Sequence, residues 1–157
     1  MGQFLSRLRT EQLTEGTITT KALYQLTAPL IYTSSTIEDV IEVPEGFITD
    51  FASVPRLPFI YTLLGNLGNS AATLHDFLYT YPHLPNSRPD TKPVTKDIAD
   101  KILQGAIVDG MLRATENDIN SSKFRKWIRP ITYELIGYLF YLGVKIGGSS
   151  HWGQQAK

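Results

Sequence analysis

"DVIEVPEGFITDFAS", residues 39–53, is where strand grammar gives way to something else. Val40, Ile41 and Val43 stand before Pro44-Glu45-Gly46, and Phe47 and Ile48 stand after it. Proline presets one turn dihedral and glycine tolerates the other, so the stretch reads as two strands joined by a tight turn. Upstream, "TITTKALYQLT" (17–27) and "PLIYTSS" (29–35) are rich in Thr, Tyr, Ile and Leu, with Pro29 between them. An antiparallel sheet with one buried face is the natural product.

Downstream the period changes. In "NSAATLHDFLYTY" (69–81), Asn69 or Ser70 can cap a helix, and Leu74 and Leu78 form a packing stripe four residues apart. "PNSRPDTKPVT" (85–95) holds three prolines and reads as a loop. A second helix starts at Thr95, with Asp97 in its first turn and Ile98, Ile102, Ala106 and Gly110 along one face. Ser121 or Ser122 opens a third, in which Pro130 should kink or restart the helix before Gly143 and Gly147-Gly148 end it. The reading is α+β: an N-terminal antiparallel sheet followed by about three helices. It is one domain over 1–157, with an N-terminal arm (1–16), a β-rich part (17–53), a helical part (66–146) and a C-terminal tail (147–157).

Composition narrows the function classes. The chain has 157 residues, 42% apolar and 19% charged, enough for a sizeable core. Fifteen basic and fifteen acidic side chains cancel, so the clustered positive charge that releases counterions from nucleic acid is missing, and no nucleic-acid partner is expected. No cysteine is present, which excludes disulfides and thiolate metal sites. The most apolar run, "ITYELIGYLFYLGVKIGG" (131–148), carries Glu134 and Lys145, so no membrane span is expected.

Three polar clusters compete for a chemical role. Asp50 sits at a strand end, where an aspartate either forms a site or closes a loop by accepting backbone N–H groups. His75 and Asp76 are neighbours on a helix and project roughly 100° apart, so one faces the core and the other looks sideways. They are the candidate catalytic pair. With Asp50 and Asp100 they are also candidate ligands for a divalent metal, since imidazole and carboxylate suit such ions. The plainer reading makes them polar fasteners, with Asp76 holding Arg56 or Arg88. Asp97 and Asp100, three apart, could either aim at the His75 helix or form a solvated face with Lys96 and Lys101. His83 reads as exposed in a rigid loop, and His151 lies in a polar tail. No phosphate-binding glycine loop, nucleophile elbow or H-E-x-x-H motif occurs.

"TDFASVPR" followed by "AATLHDFLY" and "ADKILQGAIVDG" resembles an uncharacterised domain family spread through bacteriophage and prophage genomes. The resemblance covers roughly residues 40–112, with "GYLFYLGVKIGGSSHW" similar to the family's close. Its polar signature falls here on Asp50, Arg56, His75, Asp76 and Asp100, which the resemblance casts as a buried polar knot joining sheet to helices. It implies a virion-associated structural protein of the tail, baseplate, neck or capsid, made in the bacterial cytoplasm. Such a protein acts through contacts with other virion proteins in a multi-copy assembly and needs no cofactor. The alternative is a metal-dependent hydrolase acting on cell wall or a phosphoester. Metal phosphohydrolases of the histidine–aspartate kind use an upstream histidine that this chain lacks, so Asp50 would have to replace it. A further alternative is a phage factor that antagonises host defence.

Overall fold

The computed structural model of the chain describes residues 2–17, 21–51, 66–84, 93–116 and 123–147, without the side chains of 66, 113–116, 123–131, 140 and 146–147. Among these, strands come first: β1 (Gln3–Phe4), β2 (Thr10–Thr14), β3 (Leu23–Leu26), β4 (Leu30–Ser34), β5 (Asp39–Val43) and β6 (Ile48–Thr49). Helices follow: α1 (Asn66–Thr80), α2 (Lys96–Glu116) and α3 (Lys123–Gly147). This is the α+β order that the change of hydrophobic period announces.

The strands form two three-stranded antiparallel sheets, ordered β1-β4-β5 and β2-β3-β6. On β4 and β5 the alternation is clean. Leu30, Tyr32, Ile41 and Val43 point inward, and the register sets Leu30 opposite Val43 and Tyr32 opposite Ile41.

The two strands expected on either side of Pro44-Glu45-Gly46 are present, but they do not pair with each other. β5 and β6 belong to different sheets, and the turn carries the chain from one to the other. Gly46, at φ +85°, supplies the left-handed corner. Its N–H then donates to Leu26 O at 2.8 Å, and Leu26 N–H donates to Phe47 O at 2.9 Å, which recruits the chain to β3.

The first sixteen residues are no free arm, because they supply β1 and β2. Phe4 rests on the Tyr32 ring with centroids 4.8 Å apart, and Leu5 N–H donates to Ile31 O at 2.8 Å. Ser6 Oγ donates to Pro29 O at 3.0 Å and accepts from Ile31 N–H at 2.8 Å, serving backbone groups where Pro29 breaks the ladder.

α2 lies between α1 and α3 and also touches β1. It is buried well beyond the single stripe that its sequence suggests. Ile102 and Ala106 are buried and Ile98 and Gly110 half-buried, as a stripe would have it, but Ala99, Leu103, Ile107, Val108 and Met111 are buried too. A helix flanked on both sides keeps only a narrow solvent face, which here carries Asp97 and Lys101. Close crossings rely on small residues. A Cβ on Gly110 would meet Leu67 Cδ1 at 2.3 Å, and one on Gly137 would meet Val108 Cγ2 at 2.6 Å. α3 continues past Pro130 as one helix, so of the kink or restart expected there the restart does not occur. No helix of the described residues is long and apolar enough to cross a membrane.

Candidate functional site

Helix α1 is nearly engulfed. Leu74 and Leu78 are fully buried as their spacing implies, and Phe77 meets Phe47 edge-on with centroids 5.5 Å apart. His75 and Tyr79, one turn apart on the same face, hold their rings in tilted contact with centroids 4.1 Å apart. α2 begins beside them. Thr95 caps it, its Oγ1 accepting from Ile98 N–H at 3.3 Å, and Val94 N–H donates to Pro82 O at 2.8 Å, pinning the returning chain to the end of α1. Lys96 and Asp100, again one turn apart, face the His75–Tyr79 pair.

Asp100 is the hub. His75 Nε2 lies 3.0 Å from Oδ1, and the Tyr79 hydroxyl donates to the same oxygen at 2.6 Å. Lys96 Nζ donates to Oδ2 at 2.8 Å and to Val144 O on α3 at 3.4 Å, so the cluster ties all three helices together. His75 and Asp100 side chains are each 2% exposed and Lys96 24%. Burial works to raise the Asp100 pKa, but hydrogen bonds from His75, Lys96 and Tyr79 outweigh it and hold the carboxyl below its ordinary value. Burial first, then the hydrogen bond and charge of Asp100, push the Tyr79 hydroxyl far above the usual tyrosine range. The carboxylate is therefore ionised and the phenol protonated. Facing a carboxylate, His75 Nε2 is the donor, which leaves Nδ1 as an acceptor. That atom is buried and has no hydrogen-bond partner among the described residues.

The other signature residues go elsewhere. Asp76 looks sideways from α1, and its Oδ2 accepts from Thr49 Oγ1 at 2.6 Å. Thr49 Oγ1 in turn accepts from Phe51 N–H at 3.1 Å. Phe51 sits at φ +53°, a left-handed conformation uncommon for a bulky residue, with its ring 4.7 Å from Tyr24. Thr49 thus stitches the end of β6 to α1. Asp50 pairs with Lys21 at 2.7 Å, with side chains 25% and 54% exposed. Of the five expected members of one knot, His75 and Asp100 meet, Asp76 and Asp50 make separate attachments, and Arg56 lies outside the described residues, as do Arg88 and His151. His83 is exposed. Among the described residues, no group of three or more His, Cys, Asp or Glu is placed to hold a metal ion.

Sequence reading passes over several residues that the structure makes important. Tyr79 and Lys96 each stand four residues from a signature residue, and that spacing was the available signal. Asp109, alone in the apolar run "AIVDGM", is a second buried carboxylate and accepts from the Gly2 N–H. Burial, then the Asp109 charge, raises the neighbouring Tyr32 hydroxyl well above its ordinary value.

Residues 24–129 match a family described as "Protein of unknown function (DUF1353)". The matched stretch contains the Thr49–Asp76 bond and all of the Asp100 cluster but Val144. No curated protein and no solved structure matches the chain.

Proposed function

The chain belongs to this family of unknown function, DUF1353, and we propose that it is a structural component of a bacteriophage virion that works through protein–protein contacts. The observation that carries the non-catalytic half of this reading is that both Asp100 oxygens are engaged inside the protein. Between them they take three donors. The Asp100 carboxyl is held below its ordinary range and the Tyr79 hydroxyl far above its own, whereas general acid–base catalysis wants groups that exchange protons near the working pH. A carboxylate so occupied fastens helices. The phage half rests on the resemblance of "TDFASVPR" and "AATLHDFLY" to phage and prophage sequences.

Mass spectrometry of purified particles from a phage encoding this chain tests the assignment. Its peptides should appear at a fixed ratio to the other virion proteins. Particles that assemble fully without it would exclude the virion role.

One observation favours a second reading, a hydrolase. An aspartate on one imidazole nitrogen and a bare lone pair on the other is the arrangement of a histidine general base. In that reading Asp100 orients His75 and Nδ1 takes the proton from water. The metal-dependent form would need ligands that the described residues do not group together. A hydrolytic activity lost in His75→Gln, with the fold retained, would favour this reading over the structural one.

A further inference from the structure

Helix α3 has two apolar faces, and among the described residues the fold uses one. Gly137 and Val144 point into the protein, against α2 and the Lys96 cluster. On the opposite side Leu135, Tyr138 and Leu139 are 59%, 49% and 46% exposed, and Leu142 is half-buried. These four stand at i, i+3, i+4 and i+7, the spacing of a continuous stripe on one helical face. Two charged residues border the stripe on the same flank. Glu134 lies just before it and Lys145 just after, three turns further along, and both are exposed.

We propose that this stripe pairs with the same stripe of a second copy of the chain, the two α3 helices antiparallel about a two-fold axis. The charges select that occupant. A two-fold axis brings a residue before the centre next to its counterpart after the centre on the same flank. With the axis near residues 138 and 139, Leu135 of one copy lies beside Leu142 of the other, and the Tyr138 and Leu139 side chains of the two copies meet at the centre. Glu134 then comes within about 3 Å of axial offset from Lys145 of the second copy, well within the reach of the two side chains. A parallel pairing, about an axis along the helices, would carry Glu134 and Lys145 of the second copy to the opposite flank and leave the two charges unpaired across the contact. Lys145 is already steadied, its Nζ donating to Tyr141 OH at 2.8 Å and lying 3.9 Å from Asp97, and the Tyr138 and Tyr141 rings stack at 6.2 Å beside it. The edge of the stripe is thus ordered before a partner arrives.

The stripe spans only about two turns and covers less than the ~800 Å² per partner of a standard interface, so the isolated pair should dissociate at roughly 10–100 μM. In a multi-copy assembly, tethering by other contacts raises the effective concentration, and a weak two-fold contact becomes decisive. This pairing deepens the structural reading and rests on it for its purpose.

Sedimentation equilibrium of the full chain, from about 1 to 300 μM, brackets that affinity. A reversible monomer–dimer equilibrium is expected. Leu139→Glu should weaken it at least tenfold without changing the unfolding midpoint, because the side chain is exposed. Glu134→Lys should weaken it too, and adding Lys145→Glu should restore it. A chain that stays monomeric throughout, a dimer indifferent to Leu139→Glu, or a charge-reversed double variant as weak as the single one would each overturn the pairing. None of these bears on whether the chain is found in particles, and absence from particles would leave the dimer measurable.

Discussion

Asp97 and Asp100 stand one turn apart on α2 with nearly the same company. Asp97 takes Lys101 at 2.6 Å and the Tyr141 hydroxyl at 2.9 Å. Asp100 takes Lys96 at 2.8 Å and the Tyr79 hydroxyl at 2.6 Å, with His75 added at 3.0 Å. Both carboxyls are held below their ordinary pKa: Asp97 by Lys101 and Tyr141, and Asp100 by His75, Lys96 and Tyr79 against its burial. The difference is water. The Asp97 side chain is 50% exposed and the Asp100 side chain 2%. If Asp97 is removed, water serves its former partners. If Asp100 is removed, a phenol and an imidazole inside the protein, and a lysine only 24% exposed, lose their acceptor together. A list of partners says little about the strength of an attachment until burial is added.

The sharpest way to break this contrast is Asp100→Ala. Taking one member from a buried, hydrogen-bonded charge network costs about 3–5 kcal/mol, and urea unfolding at neutral pH would read it as a large drop in midpoint. Next comes acid. Because the folded-state pKa of Asp100 is lowered, its contribution is fully present above the unfolded value of about 3.9 and is lost as pH falls through the folded value. Stability measured from pH 7 downward should hold until about pH 4 and then fall. Asp100→Asn should start lower and lose less over that range. Thr49→Val sits in the middle of the scale. It keeps the shape but removes the hydroxyl that donates to Asp76 and accepts from the Phe51 N–H, and it should lower stability by about 1–3 kcal/mol. Asp97→Ala should give the smallest effect, a thermal midpoint indistinguishable from the parent protein at physiological salt.

The order of strands and helices was legible because the hydrophobic period changes near residue 66, and Leu74 and Leu78 mark the buried side of α1. That Asp97 or Asp100 could reach the His75 helix was one of two readings the sequence left open, the other being a solvated face with Lys96 and Lys101. The choice between the two aspartates was not legible, because it depends on α3 being laid along the other side of α2, where Tyr141 claims Asp97. The two-sheet arrangement was hidden for a similar reason. Pro44 and Gly46 specify a corner, but the partner of the next strand is decided by Leu26, twenty residues earlier. At the end of β6, successive side chains take opposite faces. There the buried polar residue is Thr49 and Asp50 is turned to Lys21, although the carboxylate looked the stronger candidate. Tyr79 and Lys96 were within reach of an i, i+4 reading of His75 and Asp100. Apolar and basic residue types draw less attention than a histidine beside an aspartate.

The central claim, that the His75–Asp100 contact fastens α1 to α2, is tested most directly by a double-mutant cycle. His75→Phe, Asp100→Ala and the double variant, unfolded in urea beside the parent chain, give the coupling free energy between the two side chains. It should be favourable by about 1–3 kcal/mol, with each single variant clearly destabilised. Coupling indistinguishable from zero, with both single variants as stable as the parent, would contradict it.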